Sequence, residues 1–463
     1  MNSLNNAILT LNNVLWTYIL IGMLIIIGIY FTIKTKFVQF RNIKEMFRLL
    51  TDGDKNDKTS ISSFQAFCIS TASRVGTGNI AGIATAISIG GPGSIFWMWV
   101  IALIGSASSF IESTLAQIYK QKDGNNYIGG PAYYIEKGLK KRWMGIAFAI
   151  IITITFGLVF NSVQSNTIAL SLNTSFGFNK SIIAAVITLL TLVIIFGGIN
   201  RVAKISSVIV PVMAIAYIIV ALFIVFKNIT LLPGVFKTIF DNAFGINQVV
   251  GGGIGAALMQ GIKRGLFSNE AGMGSAPNAA ATATVSHPVK QGFIQTLGVF
   301  TDTLIICSCT AFIILLSDVP LDGSVKGIEL TQIALTSQIG ELGNIFISVC
   351  ILLFAFSSIV GNYYYGETNI QFITNKKLYI NIYRIFVGFM VFFGSLVSMD
   401  LVWNLADVFM GFMAIINLVS IVLLSKIAFR ALADYKHQKN NGIKDPTFTS
   451  SSIPEIKNDI KGW

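Results

Sequence analysis

Apolar runs of about twenty residues recur along this chain up to about residue 424, separated by short polar stretches. A run of that length, coiled as an α-helix, matches the hydrocarbon thickness of a bilayer and pairs every backbone N–H and C=O within itself. Eleven such runs are predicted. A leading helix lies near 16–33, followed by ten core spans near 62–88, 92–119, 143–172, 181–198, 202–226, 249–273, 292–317, 345–372, 380–397 and 401–424. Charged residues are only 12% of the 463, about half the usual share. That is too few to coat three soluble domains, so the chain reads as an all-α, multi-pass membrane protein.

A net charge of +12 would suggest nucleic acid in a soluble chain. Here it sorts by loop, and no nucleic acid is expected. With the N-terminus outside, seven Lys and Arg between 34 and 58 face inward, as do six between 120 and 142. Five more at 201, 204, 290, 376 and 377, and seven from 426 onward, join them. Only Lys180, Lys227, Lys237 and Lys326 face outward. Basic residues gather in cytoplasmic loops, so the bias predicts N-terminus out and C-terminus in. The stretch 37–50 reads as a basic amphipathic helix lying on the inner face, and 131–139 and 232–244 as further interfacial helices. Residues 51–60 read as a linker. The organisation expected is 1–60 as a leading unit, 61–227 and 228–426 as two five-helix blocks, and 427–463 as a polar, disordered cytoplasmic tail.

Cys68, Cys307, Cys309 and Cys350 lie in apolar runs without a CxxC pair, and only His287 and His437 are present. Neither a disulfide framework nor a resident metal is expected, and no catalytic constellation marks an enzyme.

Two stretches break the rule of continuous helix. Core span one contains Arg74-Val75-Gly76-Thr77-Gly78-Asn79, and core span six contains Phe267-Ser268-Asn269-Glu270 with Gly272, Gly274 and Pro277. Unwound backbone at membrane depth survives only where it is buried in protein or lines a cavity. There it offers half-helix ends to a carboxylate and free carbonyls to a cation. Each break opens a block of five spans, and five is odd, so the blocks are inverted. This is the pattern of a secondary transporter. An ion channel would need a pore ring from several subunits, and a sensor on a transporter scaffold would ordinarily carry a signalling domain.

The motifs GTGNIAGIATAI (76–87), GGPGSIFWMW (90–99), GGPAYYIEKGL (129–139), KRGLFSNEAGMGSAPNAAA (263–281) and HPVKQG (287–292) resemble the alanine/glycine:cation symporter family of prokaryotes. The resemblance runs from about Phe37 to Lys426. It implies a LeuT-type fold with one extra N-terminal helix, a plasma-membrane location, no cofactor, and Na⁺- or H⁺-coupled uptake of small neutral amino acids by alternating access. It implies substrate contacts at Gly76, Thr77, Gly78, Gln164, Phe267, Ser268 and Asn269. It implies a Na⁺ site made by carbonyls around Ala72 and Val75 with hydroxyls of Ser357 and Ser358, oxygens that suit a hard cation. Three positions depart from the family. Arg74 stands where relatives have Ser or Thr, and Gln260 and Asn362 stand where they have Trp. The substrate implied is alanine- or glycine-like or, with the larger and more polar pocket these changes suggest, a somewhat larger polar amino acid such as glutamine or asparagine. The stoichiometry and oligomeric state are open.

Charges within the spans are costly and mark function or pairing. Arg74 has three open roles: pairing with the substrate, replacing a cation, or pairing with Glu112 or Glu270. Glu112 is expected to support the unwound part of span six, and Glu270 to cap backbone or help hold an ion. Lys263 and Arg264 are expected to reach Glu270 or Asp302. Arg384 is expected to snorkel, and Glu367 and Asp407 either snorkel or form gating pairs. Trp16, Trp97, Trp99, Trp143 and Trp403 are expected in an interfacial belt.

Overall fold

A computed structural model describes residues 2–51, 61–124, 126–245, 253–460 and 462–463. The expected linker at 52–60, the start of span six, and Gly251 and Gly252 lie outside the described residues. Nearly all the rest is helix. The single sheet among the described residues is a hairpin pairing Gln121–Asp123 with Asn126–Ile128.

Eight helices among the described residues are long and apolar enough to cross a bilayer: Ala7–Lys34, Gly93–Ile118, Arg142–Phe176, Ser206–Lys227, Pro288–Leu315, Glu341–Ile373, Lys377–Leu396 and Met399–Asn440. Length alone therefore does not reach eleven, and the shortfall has a physical origin. Span one is divided into Ser63–Arg74 and a second piece, Gly78–Gly90. Span six is divided into Gly253–Asn269 and Ala276–Thr282, and span four is the 16-residue helix Lys180–Ile195. The interfacial helices Pro131–Leu139 and Leu232–Ala243 form where predicted. Another short helix, Gly327–Ile339, had no expectation because it is too polar to span and too short to show clear periodicity.

The leading helix begins at Asn2 instead of near Trp16, and Trp16 is fully buried instead of sitting in an interfacial belt. Trp403 is also buried, whereas Trp143 is exposed. The amphipathic segment is two helices, Val38–Arg41 and Ile43–Leu50. They bury Val38, Met46 and Leu49 and expose Phe37, Phe40 and Phe47.

The tail differs most from expectation. Met399–Asn440 is a single unbroken helix of 42 residues, and Asp445 beyond it pairs with Arg48 of the amphipathic segment at 3.0 Å. Phe448, Ile453, Ile456 and Ile460 are buried. Phe448 N–H donates to Ser286 O at 2.8 Å, and Trp463 Nε1–H donates to Gln117 O at 2.9 Å. Four apolar side chains spaced along a polar stretch suffice to seat it, and average composition hides them.

Glu45 ties the interfacial helix to this last helix. Its carboxylate accepts from Arg48 and Tyr435 and lies 2.9 Å from Lys439 Nζ. Burial alone would raise its pKa, but the hydrogen bonds from Arg48, Tyr435 and Lys439 outweigh burial and hold it at about 2. A depressed carboxylate pKa stabilises the fold above the ordinary value and loses that contribution as pH falls toward the folded one. Thermal unfolding of wild type and Glu45→Gln should therefore differ at pH 5 and converge as pH falls toward 2; a gap that stays constant would contradict the clamp.

Candidate functional site

The first break begins where Ser63–Arg74 ends. Val75 is extended, at φ −77° and ψ 94°, and the chain re-enters helix through a widened π-type turn, Gly78–Gly82. The freed backbone groups are met by side chains. Gly76 N–H donates to Asn79 Oδ1 and Thr77 N–H to Gln164 Oε1, both at 2.9 Å. Ser358 Oγ–H donates to Val75 O at 3.3 Å. A Cβ on Gly76 would collide with Ser358 Oγ and Gln164 Oε1, and one on Gly78 would lie 2.9 Å from the Phe267 ring. Glycine is required here because three other spans, through Gln164, Phe267 and Ser358, close directly on the backbone.

The second break turns through left-handed residues: Glu270 at φ 57°, Gly272 at 84° and Gly274 at 86°. Two glycines take that conformation freely, whereas Glu270 does not. Its side chain compensates by linking the breaks. Glu270 accepts from Ser73 Oγ at 2.8 Å and from Ser275 Oγ at 2.5 Å. Ser73 also bonds Asn362 Oδ1 at 2.7 Å, and Asn362 Nδ2–H donates to Asn161 Oδ1 at 3.1 Å. Glu112 supplies what the unwound backbone lacks. It accepts Gly272 N–H and Gly274 N–H, each at 3.1 Å, and Asn417 Nδ2–H at 2.7 Å.

Between the breaks sits Asp302. It accepts from Asn79 Nδ2, Ser268 Oγ and Thr303 Oγ1 at 2.7, 2.7 and 2.9 Å. Asn269 Oδ1 accepts Ala271 N–H, and its Nδ2 has no partner. Phe267 is held between Phe160 and Trp403, with centroids at 4.6 and 4.7 Å.

Arg74 is 2% exposed and makes no ion pair within 4 Å of Glu112 or Glu270 among the described residues. Its Nη1–H donates to Gln295 O at 3.4 Å, while Nε and Nη2 have no partner. Glu112, Glu270 and Asp302 all feel its charge. One guanidinium thus stands among three carboxylates without touching any of them.

Lys263 and Arg264 reach neither Glu270 nor Asp302. They meet Asp407, at 3.6 and 2.7 Å, because both precede the break by more than a turn. Trp403 stacks 4.5 Å from the Arg264 guanidinium, and the leading helix joins through Asn12, bonded to Lys263 at 2.9 Å, and Trp16, bonded to Asp407 O at 3.1 Å. Arg384 does not snorkel freely; it pairs with Glu367 at 2.9 Å. Gln260 lies beside Gly90, two turns from the break, and so is remote from the site. Among the described residues Ser357 bonds Phe354 O of its own helix and no residue of span one.

Residues 1–450 match the model of the Sodium:alanine symporter family. The chain belongs to that family. Among relatives of this Sodium:alanine symporter family member, a probable sodium/glutamine symporter, GlnT of Bacillus subtilis, is 58% identical over 98% of this chain and 94% of its own. The amino-acid carrier protein AlsT of the same organism is 57% identical over 99% of this chain and 98% of its own. The sodium/alanine symporter AgcS of Methanococcus maripaludis is 36% identical over 94% and 98%. Among solved structures, MhsT in complex with L-phenylalanine superimposes with a TM-score of 0.57 at 14% identity, over 87% of this chain and 93% of that one. An Eremococcus coleocola manganese transporter gives 0.56 at 11%, over 88% and 92%. The fold is LeuT-type, and the chain is a cation-coupled amino-acid symporter.

Asn79, Ser73, Asn161 and Asn417 were not singled out from sequence. Asn417 carried a signal, as the lone amide in the apolar run Met413–Leu418. Glu112→Leu should lower the thermal midpoint of the purified protein strongly, because it leaves two buried N–H groups at about 1–3 kcal/mol each. A loss no larger than that of a lipid-facing substitution would contradict the support role.

Proposed function

We propose that this chain imports a small neutral amino acid with an amide side chain, glutamine or asparagine ahead of alanine and glycine, together with Na⁺. The plasma membrane of a prokaryote is the proposed location, with the N-terminus outside. Alternating access would rock the blocks 61–227 and 228–426 about the two breaks. The observation that carries the substrate reading is the polar chain Asn161–Asn362–Ser73–Glu270, which links spans three and eight to the two broken helices. Amide and hydroxyl groups there match an amide side chain better than the methyl group of alanine. A relative 58% identical is named a probable sodium/glutamine symporter, which agrees.

The substrate contacts proposed are Gly76, Thr77, Gly78, Gln164, Phe267, Ser268, Asn269 and Asn362. Val75 O and Ser358 Oγ, 3.3 Å apart, supply hard oxygens for Na⁺; Ala72 O and Ser357 are further proposed ligands. Arg74 acts as a fixed counter-charge to Glu112, Glu270 and Asp302, with its Nη1 on Gln295 O of span seven.

The test is uptake into proteoliposomes. Labelled glutamine should enter only with an inward Na⁺ gradient and be competed by asparagine more strongly than by alanine or glycine. Uptake indifferent to Na⁺, or competition in the reverse order, would overturn the reading. In Arg74→Ser a positive charge one residue from the proposed ligand Val75 disappears, and with it a like-charge repulsion on the cation. The half-saturating Na⁺ concentration should fall accordingly; an unchanged or higher value would remove the counter-charge role.

A further inference from the structure

The turn joining the leading helix to the interfacial helix is strained without any gain in backbone pairing. Ile21–Lys34 ends with Phe37 N–H donating to Thr32 O at 2.8 Å and Lys36 N–H to Ile33 O at 3.0 Å. That C-terminal motif calls for a left-handed residue, usually glycine. Here Lys36 at φ 57° and Phe37 at φ 58° both adopt it. Glycine would form the same bonds without strain, so a strained lysine points to use of its side chain.

Lys36 and Arg41 are both exposed. Phe429 of the last helix lies 6.4 and 6.3 Å from Tyr30 and Phe31 of the leading helix. Seven residues on, two turns along the same face, is Lys436. It is half-buried and within electrostatic reach of Arg41 and Lys36. Three cations from three segments thus converge. No carboxylate pairs with any of them among the described residues, whereas neighbouring Arg48 and Lys439 are matched by Glu45 and Asp445. Phe37 and Phe40 adjoin Lys36 and Arg41 in sequence, Phe47 follows in the next helix, and all three rings are exposed, 51%, 43% and 58% accessible.

We propose that Lys36, Arg41 and Lys436 form a binding site for the phosphate of an anionic phospholipid, with its acyl chains against Phe37, Phe40 and Phe47. Basic residues at the membrane boundary attract anionic headgroups, and an amphipathic helix presents apolar surface to the acyl region. The unmatched charge supplies the selectivity, and the aromatic rings distinguish a lipid from free phosphate.

The test is lipid retention by the purified full-length protein, read by native mass spectrometry, which is independent of transport. Wild type should retain phosphatidylglycerol over phosphatidylcholine, and inorganic phosphate should not compete. K36Q/R41Q/K436Q should bind phosphatidylglycerol about a hundredfold more weakly. K36G should raise the unfolding temperature by relieving strain and yet weaken phosphatidylglycerol binding about fivefold, which separates lost lipid from lost fold. K44Q, which removes an exposed charge of the same helix outside the cluster, should bind like wild type. Retention by the triple variant, an equal loss in K44Q, or displacement by inorganic phosphate would overturn the proposal.

Discussion

Glu112 accepts two backbone N–H groups, from Gly272 and Gly274, at a depth where lipid offers no substitute. The second break exists because this carboxylate is there. Asn417 holds Glu112 in turn and also donates to Gly272 O at 2.9 Å, so both N–H and C=O groups of the unwound turn are met. With the turn held, Glu270 is forced into its left-handed conformation and its carboxylate reaches Ser73 in the other broken helix. The two breaks are thereby joined by side chains.

The remaining buried charges divide into two groups. Lys263, Arg264 and Asp407 form a hydrogen-bonded lock with the leading helix, more than a turn from the break. That helix therefore does more than add a span: Asn12 and Trp16 complete the polar partners of the lock. Arg74 with Glu112, Glu270 and Asp302 forms the second group, one guanidinium among three buried carboxyl groups with no direct ion pair to them among the described residues.

Much of this was legible in the sequence because it follows from backbone chemistry. Glycines at 76, 78, 272 and 274 within apolar runs announce unwound helix, and Glu112 announces the group that supports it. What was hidden depends on side-chain reach and on helix phase. Lys263 and Arg264 turn to Asp407, a partner about 140 residues away that no local pattern indicates. Asn79, Phe160, Asp302 and Trp16 all lie on or within widened π-type turns, Gly78–Gly82, Thr155–Phe160, Phe300–Cys307 and Leu15–Leu20, which shift the face a side chain occupies. The packed tail was hidden for another reason: Phe448, Ile453, Ile456 and Ile460 bury themselves singly, leaving an average that looks polar.

A density map of the protein prepared with glutamine and Na⁺ tests the central claim most directly. The account predicts ligand density between the backbone of Gly76–Gly78 and that of Phe267–Asn269, with Glu112 still on Gly272 and Gly274. Ligand density elsewhere, or continuous helix through either break, would contradict it.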